Sequence, residues 1–257
     1  MSINKNKFLK VFVSLIISVI FFSSLISLYK DRNKIIFWIL NNNSSSDYGN
    51  KKDTNKDILW SKKIMEGGYI LHFRHAERDK WIDVQMYDSL ESDVHNNGKN
   101  GTRFAENDYF SKAVCLNDRG LVQARAIGEH LSNIKFPIGF VISSPSCRSR
   151  QTADISFGGY DELNRILVHT GPYNEDEKKR ISKLKKLYMN LPIQFGTNTI
   201  VSAHNGVVHS DMFENIKNKD ISLEEGGFYV ISKKNGKLYL EHEFHYFKNF
   251  IKTFYER

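Results

Sequence analysis

Three short segments, far apart in the chain, each follow an apolar run with a cation or a histidine. They are Leu71-His72-Phe73-Arg74-His75-Ala76-Glu77-Arg78, Ser143-Ser144-Pro145-Ser146-Cys147-Arg148 and Val201-Ser202-Ala203-His204-Asn205-Gly206. The apolar residues before them, Tyr69-Ile70-Leu71, Phe140-Val141-Ile142 and Ile200-Val201, read as buried strands. Open α/β sheets bind ligands at the carboxyl ends of their strands. Arg74, His75, Arg148 and His204 are therefore expected to converge on one pocket. Two guanidinium groups there suit a phosphoryl group, whose oxygens their planar forks bind in pairs. A neutral imidazole beside them is a nucleophile for phosphorus.

The elements that must hold these residues alternate strand and helix. Strands are expected at Gly67–Phe73, Gly139–Ile142, Ile166–His169 and Thr199–Ala203. Asn117 suits an N-cap for a helix that turns Leu121, Ala124, Ile127 and Leu131 to one face. Further helices are expected over 146–156, over 175–191 with Ile181, Leu184 and Leu187 inward, and from His204 to about Ile216. Phe228–Ile231 and Lys237–Glu241 form a closing pair, with Lys233-Lys234-Asn235-Gly236 supplying the turn, and helical residues finish the chain. The fold class is α/β, a mostly parallel sheet flanked by helices on both faces. The polar stretch 79–114, with Asn96-Asn97-Gly98-Lys99-Asn100-Gly101 at its centre, interrupts this alternation. A long loop directly after His75 is expected to overhang the pocket.

The ordered set resembles the histidine phosphatase superfamily, also called phosphoglycerate mutase-like, over roughly residues 65–250. Leu116-Asn117-Asp118-Arg119-Gly120 with Gln123-Ala124, and Gln151-Thr152-Ala153 after Arg148, fit the same family. Arg74-His75-Ala76-Glu77-Arg78, His204-Asn205 and the apolar amino-terminal run are also similar to the lipopolysaccharide core heptose(II)-phosphate phosphatase group. The chain departs from that group in its longer insertion after Arg78. It also carries Gly206-Val207 where His and Cys are expected.

The resemblance implies a role for each site residue. His75 is the nucleophile that forms a phosphohistidine. Arg74 and Arg148 bind the phosphoryl oxygens, and the family spacing after Ser143-Ser144-Pro145 selects Arg148 over Arg119 and Arg150. His204 donates a hydrogen bond to the phosphoryl group, assisted by Asn205 and the N–H groups that open the helix after it. The general acid is expected after the third strand, where Glu175 stands, with Glu177 and Glu77 as alternatives. Acidic residues at a helix start are also favoured by the helix dipole alone. His72 and His209 are read as structural. No Cys-x-x-Cys or Cys/His ligand spacing occurs, and no metal or cofactor is expected.

Val11–Leu28 is uncharged and apolar on all faces, with Lys5, Lys7 and Lys10 before it and Lys30, Arg32 and Lys34 after. About 20 apolar residues span a bilayer core, and no small-residue cleavage site follows the run. The expected organisation is an anchor in residues 1–30, a polar linker in 31–57 and a catalytic domain in 58–257. The amino terminus is placed inside and the domain outside the cytoplasm; a cleaved signal is the rival reading. A compartment outside the cytoplasm permits a disulfide between Cys115 and Cys147. Hydrophobic residues at 40% and charged residues at 26% are globular proportions. The net charge of +8 is concentrated at the start. Residues 1–59 hold nine Lys/Arg against four Asp/Glu, leaving 28 against 25 for the rest. No basic stripe interleaved with aromatics marks the domain, so nucleic acid is not an expected partner. The expected function is a membrane-anchored extracytoplasmic phosphatase acting on a small-molecule or envelope-glycolipid phosphate monoester. The alternatives are a phosphoglycerate mutase-like phosphotransferase and a non-catalytic phosphate-binding envelope module.

Overall fold

A six-stranded mixed sheet organises the described chain. The computed structural model describes residues 54–80, 86–88, 108–168, 176–217 and 219–255. The expected anchor Val11–Leu28, most of the linker, Glu175 and most of the 79–114 insertion lie outside these residues. Among the described residues, no helix is long and apolar enough to cross a membrane.

Helix α1 (Thr54–Lys63) leads into β1 (Ile70–Arg74). The insertion returns through α2 (Asp108–Val114), followed by α3 (Asp118–Asn133), β2 (Ile138–Ser143) and α4 (Cys147–Phe157). Then come β3 (Glu162–Leu163), α5 (Glu177–Asn190) and β4 (Asn198–Ala203). The hairpin β5 (Phe228–Lys234) and β6 (Lys237–Phe244) and helix α6 (Phe247–Tyr255) complete the order. Strands β3, β2, β4 and β1 run parallel, and β5 and β6 add an antiparallel edge. The expectation of a mostly parallel sheet with helices on both faces holds.

Strand alternation separates the two faces. Ile70, Val201, Ala203, Tyr229 and Ile231 share one cluster with Leu184 and Tyr188 of α5. On the other face Phe73 stacks on Phe228, with ring centroids 4.5 Å apart, and meets Phe157 of α4 at 5.0 Å. Phe228 in turn packs on Phe244 and on Phe250 of α6. Asn117 caps α3, its side-chain oxygen accepting from the Gly120 N–H at 2.8 Å. Asn235 and Gly236 both have positive φ, which makes the two-residue turn between β5 and β6.

Two expected elements are corrected. Of the expected strand Ile166–His169, the described residues Ile166–Val168 do not form a strand. Arg165–Leu167 forms a short 3-10 turn, started by the Asn164 side chain accepting from the Ile166 N–H. Arg180 of α5 donates to the carbonyls of Ile166 and Val168, so this backbone is satisfied by a side chain rather than by a ladder. The third strand is the two-residue β3 just before it. No α-helix runs from His204 to Ile216 either; the segment contains only the 3-10 turn Ser210–Met212.

Candidate active site

Strand register brings the two histidines together. Arg74 pairs with Ala203 across the parallel β1–β4 ladder. His75 and His204 each stand one residue beyond that pair, and the His75 N–H donates to the Ala203 carbonyl at 3.0 Å. Their ring centroids are 5.3 Å apart. Ser143 pairs with Ser202 on the next ladder, which delivers Ser144 to Arg148 to the same sheet end.

His75 is buried, and its Nδ1 lies 2.7 Å from the carbonyl of Ala76. A carbonyl only accepts, so Nδ1 carries the proton and Nε2 keeps its lone pair. Burial, then the charges of Arg148, Arg74 and Arg78, hold its pKa well below that of an ordinary histidine. The ring is therefore neutral at physiological pH, with a nucleophilic nitrogen beside three guanidinium groups.

His204 is also buried, and its Nε2 meets the hydroxyls of Ser144 at 3.0 Å and Ser149 at 3.3 Å. Below it lies His72, whose Nε2 donates to the His204 carbonyl at 3.2 Å while Nδ1 pairs with the Tyr188 hydroxyl at 2.6 Å. Burial lowers the His72 pKa to about 4, so this ring is a neutral strut.

Arg74 donates to the Leu223 carbonyl at 2.6 Å and to the Glu225 carboxylate at 3.3 Å. Arg148 is buried and pairs with Asp88 through both terminal nitrogens, at 2.7 and 3.1 Å. Arg150 is buried, with Nε donating to the Pro145 carbonyl. Arg119 is largely exposed and pairs with Glu77. Asn205 brackets the Leu223 backbone, donating to its carbonyl at 2.8 Å and accepting from its N–H at 3.0 Å. These bonds engage both ends of its amide, and no helix opens after it, so the expected helix N-terminal donors are not there.

The remaining motif residues are struts. Thr152 accepts from the Ala76 N–H at 3.0 Å and donates to the Arg148 carbonyl at 2.8 Å, linking the two motif segments directly. Gln123 accepts from the Glu77 N–H and donates to the Glu225 carbonyl. Gly120 packs so closely on the Glu77 backbone that a β-carbon would collide with the Glu77 carbonyl.

For the general acid, Glu175 lies outside the described residues and Glu177 is exposed in the first turn of α5. Glu77 is held by Arg119 and Asn117. Two residues, Asp88 and Glu225, escaped the sequence reading, and Arg78 stood in the first motif without an assigned role. Burial pushes the Glu225 carboxyl up, against the lowering pull of Arg74. The signal for Glu225 was the pair Gly226-Gly227 after it. The Gly226 N–H donates to the carbonyls of both Arg74 and His75, tying this loop to the end of β1. Among the described residues no group of three or more His, Cys, Asp or Glu is placed to hold a metal ion.

Residues 108–164 match the family model of the histidine phosphatase superfamily, branch 1. Solved structures similar to the chain include phosphoserine phosphatase from Entamoeba histolytica in complex with 3-phosphoglyceric acid. It is 15% identical, with a TM-score of 0.44, over 68% of this chain and 95% of that one. A putative alpha-ribazole-5'-P phosphatase from Escherichia coli is 14% identical, with a TM-score of 0.43, over 67% and 94%. A putative phosphohistidine phosphatase SixA from Agrobacterium tumefaciens is 15% identical, with a TM-score of 0.40, over 69% and 97%. No curated protein matches the chain.

Proposed function

We propose that the chain, residues 108–164 of which match the family model of the histidine phosphatase superfamily, hydrolyses a phosphate monoester through a phosphohistidine at His75. The observation that carries this reading is the buried, neutral His75, with Nδ1 bound to the Ala76 carbonyl and three arginine charges around it. In the first step Nε2 attacks phosphorus and the bond to the ester oxygen breaks. Arg74 and Arg148 offset charge on the phosphoryl oxygens, and a carboxyl gives the departing oxygen its proton. Glu175 is the candidate for that donor. In the second step water attacks the phosphohistidine, the carboxylate takes the proton, phosphate leaves and His75 is neutral again.

We further propose that Val11–Leu28 anchors the enzyme in a membrane, with the domain outside the cytoplasm. The length and apolarity of that run support this reading. So does the disulfide between Cys115 and Cys147, since such bonds persist in oxidising compartments. The substrate class that suits this placement is a phosphorylated small molecule or glycolipid of the envelope.

The test is phosphate release by the full chain in detergent from a chromogenic ester and from panels of phosphosugars, lipid phosphates and nucleotides. Brief reaction stopped in alkali, which preserves phosphohistidine, is expected to leave phosphate on His75. His75→Ala is expected to lose at least about a thousandfold in rate while remaining folded. Phosphate trapped on a serine or aspartate would sink the reading. Transfer to a second hydroxyl without release to water would make the enzyme a phosphotransferase.

A further inference from the structure

We propose that Asp88, carried by the insertion, is a positioning residue that aims Arg148 at the phosphoryl group; this rests on the phosphatase reading above. A guanidinium has five N–H donors. In Arg148 one terminal nitrogen donates to Asp88 Oδ1 at 2.7 Å and to the Val114 carbonyl at 3.4 Å. The other donates to Asp88 Oδ2 at 3.1 Å. The carboxylate is thus seated end-on, across the two terminal nitrogens. What remains is the Nε–H and the neighbouring hydrogen of the second terminal nitrogen. These two lie parallel along one edge of the plane and form a second fork.

Arg148 is 1% exposed, and its Nε is buried with no hydrogen-bond partner. A buried donor left without an acceptor is costly. It is expected where a ligand supplies the acceptor, and a parallel pair of N–H groups is the arrangement that takes two phosphoryl oxygens. After burial, the charge of Arg148 has the largest effect on His75, ahead of Arg74 and Arg78.

Asp88 is itself held. The Ser146 hydroxyl donates to its Oδ1, and both Asp88 and Arg148 are cut off from solvent. Tyr87, next to Asp88, packs on the cluster of Ala113, Val114, Cys115 and Cys147. The insertion therefore contributes a fixed carboxylate to the site. By taking the far edge of the guanidinium it leaves the near edge as the one way for Arg148 to bind an anion. The opposite role, a carboxylate that occupies the place of substrate phosphate, would leave no reason for a second, unfilled fork.

The two roles give opposite results in one experiment: tungstate binding by titration calorimetry on the full chain in detergent, alongside turnover of p-nitrophenyl phosphate. Asp88→Ala is expected to weaken tungstate binding and kcat/KM by about tenfold to a hundredfold, the cost of a misaimed binding group. Added formate, which fits the vacated carboxylate position, is expected to restore much of the tungstate affinity of this variant. It is expected to leave the wild type unchanged. Binding by Asp88→Ala as tight as wild type or tighter overturns the proposal, and so does a failure of formate to restore it. If Asp88→Ala does not fold, Ser146→Ala removes only the hydroxyl that steadies the carboxylate. It is expected to weaken tungstate binding severalfold, and unchanged binding overturns the proposal. A wild type that neither binds tungstate nor releases phosphate refutes the phosphatase reading and this inference with it. A wild type that does both, beside a variant that is unimpaired, refutes the inference alone.

Discussion

One environment moves His75 and Glu225 in opposite directions. Burial removes the charge of the imidazole and, in the same pocket, favours the neutral form of the carboxyl. Phosphoryl transfer uses both outcomes, a neutral nucleophile and a carboxyl that keeps a proton to give. Whether Glu225 donates or only braces Arg74 is decided by leaving-group dependence. Glu175→Gln is expected to slow alkyl phosphates by roughly a hundredfold and p-nitrophenyl phosphate much less, because that leaving group hardly needs a proton. Glu225→Gln is expected to slow both alike, through a loosened Arg74. The reverse pattern would move the proton donor to Glu225. Arg74, His75, Arg148 and His204 were legible in the sequence because each closes an apolar strand-like run. Glu225 and Asp88 were not, since Glu225 reaches its arginine from a turn and Asp88 from the polar insertion, and neither follows an apolar strand-like run.

At the scale of elements, legibility followed the source of the backbone hydrogen bonds. Helices α3 and α5 were readable because each joins a capping side chain to an apolar face, and the β5–β6 hairpin because its turn carries Asn235-Gly236. The segment from Ile166 misled because Leu167 and Val168 are buried, as a strand's residues would be, while Arg180 supplies what a neighbouring strand would have given. After His204, the buried Val207, Val208, Met212 and Phe213 have the look of a helix face. Asn205 instead ties the chain to Leu223, and Gly206 turns it at positive φ. The disulfide is the other long-range tie. Cys115 and Cys147 are 32 residues apart in sequence, and they fasten the end of the insertion to the first residue of α4, next to Arg148. Closing a loop of that length contributes about 3 to 4 kcal/mol by the chain-entropy estimate. Cys115→Ser is expected to lower stability to denaturant by roughly that amount. It is also expected to raise the KM for p-nitrophenyl phosphate, since the Val114 carbonyl on Arg148 is freed with it. Unchanged unfolding with unchanged KM would show that the bridge supports neither.

Over the whole molecule, charge and chemistry are assigned to different stretches of the chain. The first 59 residues carry a net +5 and the remaining residues +3. The described residues place their reactive groups at one end of the parallel strands, where Arg74, His75, Ser144 and His204 leave the sheet. A basic leading tail, an uncharged run of bilayer length and a polar tract ahead of such a domain suit an enzyme held at a membrane and facing a displayed substrate. On that reading Val11–Leu28 stays in the mature protein, and protease added to cells with opened outer layers and an intact cytoplasmic membrane digests the domain. A domain protected from protease would lie in the cytoplasm. The disulfide would then need another explanation, because the thiol pools there keep such pairs reduced. A soluble mature form beginning between residues 24 and 45 would keep export and replace the anchor with a cleaved signal. The bridge makes the first outcome checkable on the same sample. Alkylation before and after reduction is expected to label Cys115 and Cys147 only after reduction, if the domain faces an oxidising space.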